Sequence, residues 1–398
     1  MKKTEFYRLL AETAKKYPNL SGEIERLLES VQQSKEKTID DDVLLVFWKD
    51  HLVSPDAFGI TLSREKKPSG KVFQVHSPFS KEIKERLQLA ERNLHYRNWA
   101  NAVRAIPDST SPLPEVDKQF VQDAKKIWEE NIYGNEDILK VILRHSVEYS
   151  KTGRTMPILL VGEPGIGKTL IAQNYGKVMK LPCSFLSGPS ASAGRGLSGA
   201  PNLYVGAGVG AVVQAMIDHG IGNPIVCIDE IEKATGGYSR SPDFQSELLN
   251  ALDERNTSWY DNFLEMRVDA SHIPYIFTAN DKEQIIPPLL DRMEVIQMEK
   301  PTKEMMNGIT KKFIVPNTLA VYSDRTICIE EDTVDLLVDL LWKNKSHSCR
   351  PYQKAVEILV SSAYFRGIET NSAVRVAEKD VQEAVELCLN NKTKTMGF

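Results

Sequence analysis

Eight residues constrain the fold of this 398-residue chain more than any others. Gly162-Glu163-Pro164-Gly165-Ile166-Gly167-Lys168-Thr169 fits the pattern G-x-x-x-x-G-K-[ST], follows the apolar run MPILLV and leads into the helical pattern TLIAQNYGKVM, whose second residue is Leu170. A strand, a glycine-rich turn and a helix in that order leave backbone N–H groups free to curl around phosphate oxygens, and the helix N-terminus favours their negative charge. In such a loop the lysine, here Lys168, reaches the outer phosphates, and the hydroxyl of Thr169 binds magnesium. A chance glycine turn is the competing reading, and the flanking strand and helix patterns argue against it.

Two further strand patterns end in polar residues. Ile225-Val226-Cys227-Ile228 runs into Asp229 and Glu230. Behind a phosphate loop, Asp229 is predicted to hold the magnesium and Glu230 to orient the attacking water, because phosphoryl transfer is mostly positioning and electrostatics. Taken alone, an apolar run ending in two acids is as often a solvated strand end. Tyr275-Ile276-Phe277-Thr278-Ala279 delivers Asn280 to the carboxyl edge of a sheet, where ligands of α/β proteins bind. Asn280 is read as a water-positioning residue, with a turn asparagine as the alternative. Arg292, in LLDRME, is either a surface ion-pair partner or an arginine that stabilises transferred phosphate.

The pattern of the whole chain divides in three. Residues 1 to about 110 show helical periods, such as FYRLLAETA and DDVLLVFWKDHL, and end in the proline-rich IPDSTSPLPEVD. From there to about 300, short apolar runs (MPILLVG, PCSFLS, PIVCIDE, HIPYIFTAN) alternate with helices, which predicts a parallel α/β sheet. Beyond Pro301 the strands are expected to stop and helices to resume, as in EDTVDLLVDLLWKN and PYQKAVEILVSSAYFRG. The expected domains are therefore 1–110, 111–300 and 301–398.

The phosphate loop, the acid pair, Asn280, Arg292 and Arg350 in the C-terminal helical region together resemble an AAA+ ATPase. Within that superfamily IDEIEKA, PPLLDRMEVIQM and AKKIWEENIYGNEDILKVILRH are similar to the ATPase module of the Lon proteases. The resemblance runs from about Val116 to the C-terminus. It implies an AAA+ P-loop fold with a parallel five-stranded sheet and a C-terminal helical lid, behind a mostly helical N-terminal domain. It implies ATP and Mg2+ as ligands, with Asn280 as sensor 1, Arg292 as an arginine finger and Arg350 as sensor 2, although Pro351 follows Arg350 where Lon has a Gly-x-Arg context. Tyr204 and Val205, in NLYVGA, correspond to a pore loop that grips polypeptide inside a ring. Tyr204 packed in a hairpin is the plainer alternative. The lid helices account for the chain through about Asn391, so the resemblance implies a motor without Lon's Ser-Lys protease domain. The implied function is a homo-oligomeric ring, a hexamer by analogy, that remodels or unfolds a protein partner.

A second class of function stays open: an ATPase assembly factor or motor associated with nucleic acid, as in mobile-element or antiviral machinery. Its support is the segment Arg64 to Arg104, with ten basic and four acidic residues interleaved with Phe73, His76, Phe79, Tyr96 and Trp99. A solvated amphipathic helix whose aromatics pack inward explains the same pattern. The net charge of -4 marks no global field for nucleic acid or membrane. No apolar run suits a membrane span or an export signal, and the five cysteines show no CxxC spacing. A reducing cytoplasm is the expected setting.

Overall fold

The computed structural model describes residues 70–76, 79–90, 96–189, 196–202, 206–234, 244–253, 258–324, 326–370 and 372–390. The N-terminal helical expectation up to residue 69 and the pore-loop residues Tyr204 and Val205 lie outside them. Residues from Ser69 onward form one compact unit.

Helices α1 (Lys81–Ala90), α2 (Arg97–Ala105), α3 (Lys118–Asn131) and α4 (Glu136–Thr152) precede strand β1 (Ile158–Val161) and helix α5 (Lys168–Met179). Then come β2 (Cys183–Ser187), α6 (Ala211–His219), β3 (Ile225–Asp229), α7 (Phe244–Ala251), a hairpin of β4 (Trp259–Asp261) and β5 (Met266–Val268), β6 (Tyr275–Ala279), α8 (Pro287–Leu290) and β7 (Glu294–Gln297). The main sheet has five parallel strands in the order β2-β3-β6-β1-β7, as expected. The hairpin β4–β5 was not foreseen; it pairs antiparallel and apart from the main sheet.

The three central strands, β3, β6 and β1, are almost wholly apolar because both faces of the sheet are covered there, whereas the outer strands β2 and β7 carry Ser184, Ser187, Glu294 and Gln297 and are partly exposed. Alternate side chains go to opposite layers. Leu159, Val161, Val226, Ile228, Tyr275 and Phe277 join α2, α6 and α7 in one core, whereas Ile158, Leu160, Ile225, Cys227 and Ile276 join α3, α4 and α5 in the other.

The first core corrects the domain boundary drawn near residue 110. Val75, Trp99, Ala100 and Val103 are buried in it, and the Trp99 indole N–H donates to the Leu264 carbonyl at 3.0 Å. Val75 N–H bonds Asp108 O, and Gln74 bridges to Ser109, so residues 70–110 belong to the α/β unit. Amphipathic periodicity reveals that a helix has a buried face but not what lies against it.

The C-terminal region has a core of its own. It comprises α9 (Lys303–Ile309), a π-helical turn (Thr310–Ile314), α10 (Val315–Val321), α11 (Glu331–Lys343), α12 (Cys349–Thr370) and α13 (Glu378–Asn390). Strands do not quite stop at Pro301: β8 (Ile327–Cys328) and β9 (Val374–Arg375) make a two-residue parallel pair, too short to register as a sequence pattern. No described helix is long and apolar enough to cross a membrane.

Trp99→Ala is expected to destabilise the α/β unit by about 3–5 kcal/mol, the usual cost of emptying a large buried aromatic site. Urea denaturation checks this: the midpoint should fall with the slope unchanged.

Candidate functional site

The phosphate loop joins β1 to α5. Gly165 and Gly167 have φ of +82° and +102°, which side-chain-bearing residues rarely adopt, and α5 opens at Lys168 with its first N–H groups facing the loop. Gly162 N–H donates to Ala279 O at 3.1 Å, so the loop is tied to the end of β6.

Lys168 is only 7% exposed. Its ammonium donates to Gly162 O at 2.5 Å, Glu163 O at 2.9 Å and Asn280 Oδ1 at 3.0 Å. Burial pushes its pKa below the ordinary lysine value, while Glu232, Asp229 and Glu230 favour the charged form.

At the end of β3, Thr169 Oγ1 lies 3.3 and 3.4 Å from the two carboxylate oxygens of Asp229. The buried Thr278 hydroxyl on β6 donates to Asp229 and accepts the Glu230 N–H at 3.0 Å. A hydroxyl and a carboxylate are hard oxygen donors. They are too few to cage a cation, but they fit Mg2+, which keeps waters and phosphate oxygens for its remaining positions.

Glu230 takes a left-handed backbone (φ +57°), uncommon for a glutamate and a form of local strain that recurs at active sites. Its carboxylate pairs with Lys233 at 2.7 Å and lies 3.5 Å from Asn280 Nδ2. The Lys233 hydrogen bond, with Asn280 and Arg350 adding to it, holds the Glu230 carboxyl below its usual pKa despite a desolvation cost. It is therefore ionised at neutral pH.

These groups line one cleft of about 840 Å³ between the α/β unit's sheet edge and the helical lid. Pro164 to Leu170, Asp229, Glu230, Asn280 and Arg350 all face it. The start of α12 reaches the phosphate loop directly: Cys349 N–H donates to Gly165 O at 2.9 Å. Arg350 follows at once and is exposed to the cleft. Arg292 lies elsewhere. It is exposed between α8 and β7, where it donates to Pro288 O at 2.9 Å, and it does not line the cleft.

The sequence reading missed the far wall. Ile132, Tyr133 and Asn135, from the α3–α4 turn, face Ile309, Phe313 and Ile314 of the lid. Gly134 and Asn135 both have positive φ, a tight Gly-Asn turn that was the available signal. Gly308 is required opposite: a Cβ there would come within 2.1 Å of the Tyr133 ring.

The aromatics and one arginine of the basic stretch serve internal packing. Phe73 stacks on His272 at 3.9 Å, His76 stacks on Phe79 at 4.8 Å, and Arg86 lies over Trp99 at 4.5 Å while pairing with Glu265.

Residues 158–300 match the family model for the ATPase family associated with various cellular activities (AAA). The fold is that of an AAA+ P-loop domain. Similar proteins include the mitochondrial Lon protease homolog of Drosophila melanogaster, 31% identical over 68% of this chain and 27% of that protein. Lon protease 2 of Sorangium cellulosum is 28% identical over 70% of this chain and 34% of its own length. The chain thus carries an AAA domain and is similar to the ATPase portion of Lon proteases, spanning roughly a quarter to a third of the length of these curated relatives. The solved Thermotoga maritima RuvB Holliday junction branch migration motor aligns more distantly, with a TM-score of 0.43 and 16% identity over 64% of this chain and 70% of that one.

Thr278→Val removes a hydroxyl that Asp229 and the Glu230 N–H both use. With those two part-buried groups left short of a partner, a loss of about 1–3 kcal/mol is expected, measurable by chemical denaturation.

Proposed function

We propose that this chain binds MgATP in the cleft, hydrolyses it as part of a homo-oligomeric ring, hexameric by analogy with its relatives, and uses turnover to remodel a protein partner. The observation that carries the reading is convergence: phosphate loop, acid pair, Asn280 and a lid arginine meet in one cleft from four separate stretches of chain.

Each residue has a definite task. Lys168 leaves its carbonyl partners for the β- and γ-phosphates, and the N–H groups opening α5 take the remaining phosphate charge. Thr169 and Asp229 would hold Mg2+, which would supply neutralising charge to the phosphates. Glu230, ionised and aimed into the cleft, accepts a hydrogen bond from the attacking water and orients it. Its lowered pKa makes it a weak base, so its contribution is orientation more than full proton removal. Asn280 helps place the same water. Arg350, at the start of α12, couples lid position to the γ-phosphate.

Arg292 is exposed and away from its own cleft, which supports a role in the neighbouring subunit's site. The protein-partner reading is favoured over the nucleic-acid one because Phe73, Arg86 and Trp99 are engaged in packing. The described flanks of the 203–205 segment are held firmly: Ala200 N–H bonds Gly208 O at 3.1 Å and Gly210 N–H bonds Asp261 at 2.8 Å. A pore-loop role for Tyr204 and Val205 rests on such an anchored base and on the Lon-like NLYVGA segment.

Lys168→Ala should abolish binding of a fluorescent ATP analogue, whereas Glu230→Gln should bind it and lose turnover. Turnover near wild type in Glu230→Gln would overturn the assignment. Arg292→Ala should lower turnover by about 10³-fold in assembled protein without weakening nucleotide binding. Mixing it with Lys168→Ala subunits should restore part of the activity, since some interfaces then pair an intact site with an intact arginine. Tyr204→Ala should keep turnover within a few fold while partner remodelling is lost. Stimulation by DNA or RNA, steeply weakened by salt, with no response to unfolded protein, would favour the nucleic-acid reading instead.

A further inference from the structure

Glu232 is an acid to which neither the phosphate loop nor the acid pair assigns a task. It sits in the short 3-10 turn Ile231–Lys233 that follows the left-handed Glu230, and it is only 3% exposed. Buried carboxylates are costly unless their oxygens are occupied. Here Oε1 accepts two bonds from a single residue, Asn280: its backbone N–H at 3.1 Å and its side-chain Nδ2 at 2.8 Å. Oε2 is buried and has no hydrogen-bond partner among the described residues.

The consequence is an amide whose direction is dictated by charge. Asn280 Oδ1 faces the Lys168 ammonium at 3.0 Å, and Nδ2 faces Glu232 at 2.8 Å and Glu230 at 3.5 Å. Turning the amide over would press its NH2 against an ammonium and its carbonyl oxygen against two carboxylates. Both contacts would be repulsive, so the orientation is set by its neighbours.

We propose that Glu232 is a positioning residue that clamps Asn280 through two N–H groups and holds its carbonyl oxygen toward the phosphate side of the cleft. This rests on the ATPase reading above. When Lys168 turns to the phosphates, Oδ1 is released already facing the cleft and accepts a hydrogen bond from the attacking water. Asn280 then acts as an acceptor, alongside Glu230, and not as a donor to phosphate. A clamped acceptor restricts the water from a second side at no cost of reorganisation during the reaction.

The test is a double-mutant cycle on the full-length protein. Glu232→Gln, nearly isosteric but uncharged and able to present its own NH2 to Asn280, is expected to lower kcat about tenfold while the Kd of a fluorescent ATP analogue stays within twofold. In an Asn280→Ala background the same substitution should add nothing, because Glu232 acts only through Asn280. A kcat within twofold of wild type for Glu232→Gln overturns the proposal, and so does an equal loss in both backgrounds. Should Glu232→Gln fail to fold, Glu232→Asp, which keeps the charge but shortens the reach, carries the same cycle with the same two overturning results. If wild-type protein binds ATP but never hydrolyses it when assembled, the ATPase reading fails instead. The clamp is then read from the Asn280 side-chain amide resonance in [15N]Asn-labelled protein, which shifts in Glu232→Gln if the contact exists and stays in place if it does not.

Discussion

The parallel register of three central strands is the constraint on which the cleft depends. β1 pairs with β6 so that Val161 lies beside Ala279, and β3 pairs with β6 so that Ile228 lies beside Phe277. Gly162, Asn280 and Asp229 therefore emerge together at one carboxyl edge. A slip of one residue would invert every strand side chain and send Phe277 and Ile276 to each other's cores, so two packed hydrophobic layers enforce the alignment. Precision at the polar edge is inherited from apolar contacts several ångströms below it.

Several contacts among the described residues join the lid to this edge. Cys349 N–H meets Gly165 O, the Lys312 ammonium reaches Glu129 O at 2.6 Å, and Gly308 admits the Tyr133 ring. The lid's own core is separate from the two layers around the sheet. Separate cores are compatible with rigid-body movement of the lid, because neither core must be opened for it to shift. The cleft lies between this edge and the lid, so its volume and the position of Arg350 are both set by where the lid rests.

The sequence displayed the parts whose chemistry is local. Gly165, Gly167, Lys168 and Thr169 are neighbours in the chain, and Asp229 and Asn280 each follow an apolar run, so strand period and residue type suffice to place them at one edge. What stayed hidden depended on contacts distant in sequence. Glu232 reads as one more charge in IDEIEK until burial beneath Asn280 singles it out. Tyr133 and Phe313 look like ordinary amphipathic positions, and only the tertiary approach of two helical regions makes them facing walls. Trp99 announces burial but not its host, which is why the α/β unit begins some forty residues earlier than the prolines suggested.

The internal partners of Lys168 carry a kinetic consequence. Two main-chain carbonyls and an asparagine oxygen already satisfy all three of its ammonium hydrogens. The lysine is thus its own protein's ligand, and on the proposed ATPase reading nucleotide capture is an exchange in which phosphate must first displace these bonds. Exchange of this kind narrows the affinity gap between filled and empty sites. On the same reading, the carbonyls would reclaim the ammonium as phosphate leaves and so assist release of product. For a chain with the proposed turnover, a cradle that refills itself would act on the step that is slowest in many such cycles, letting go.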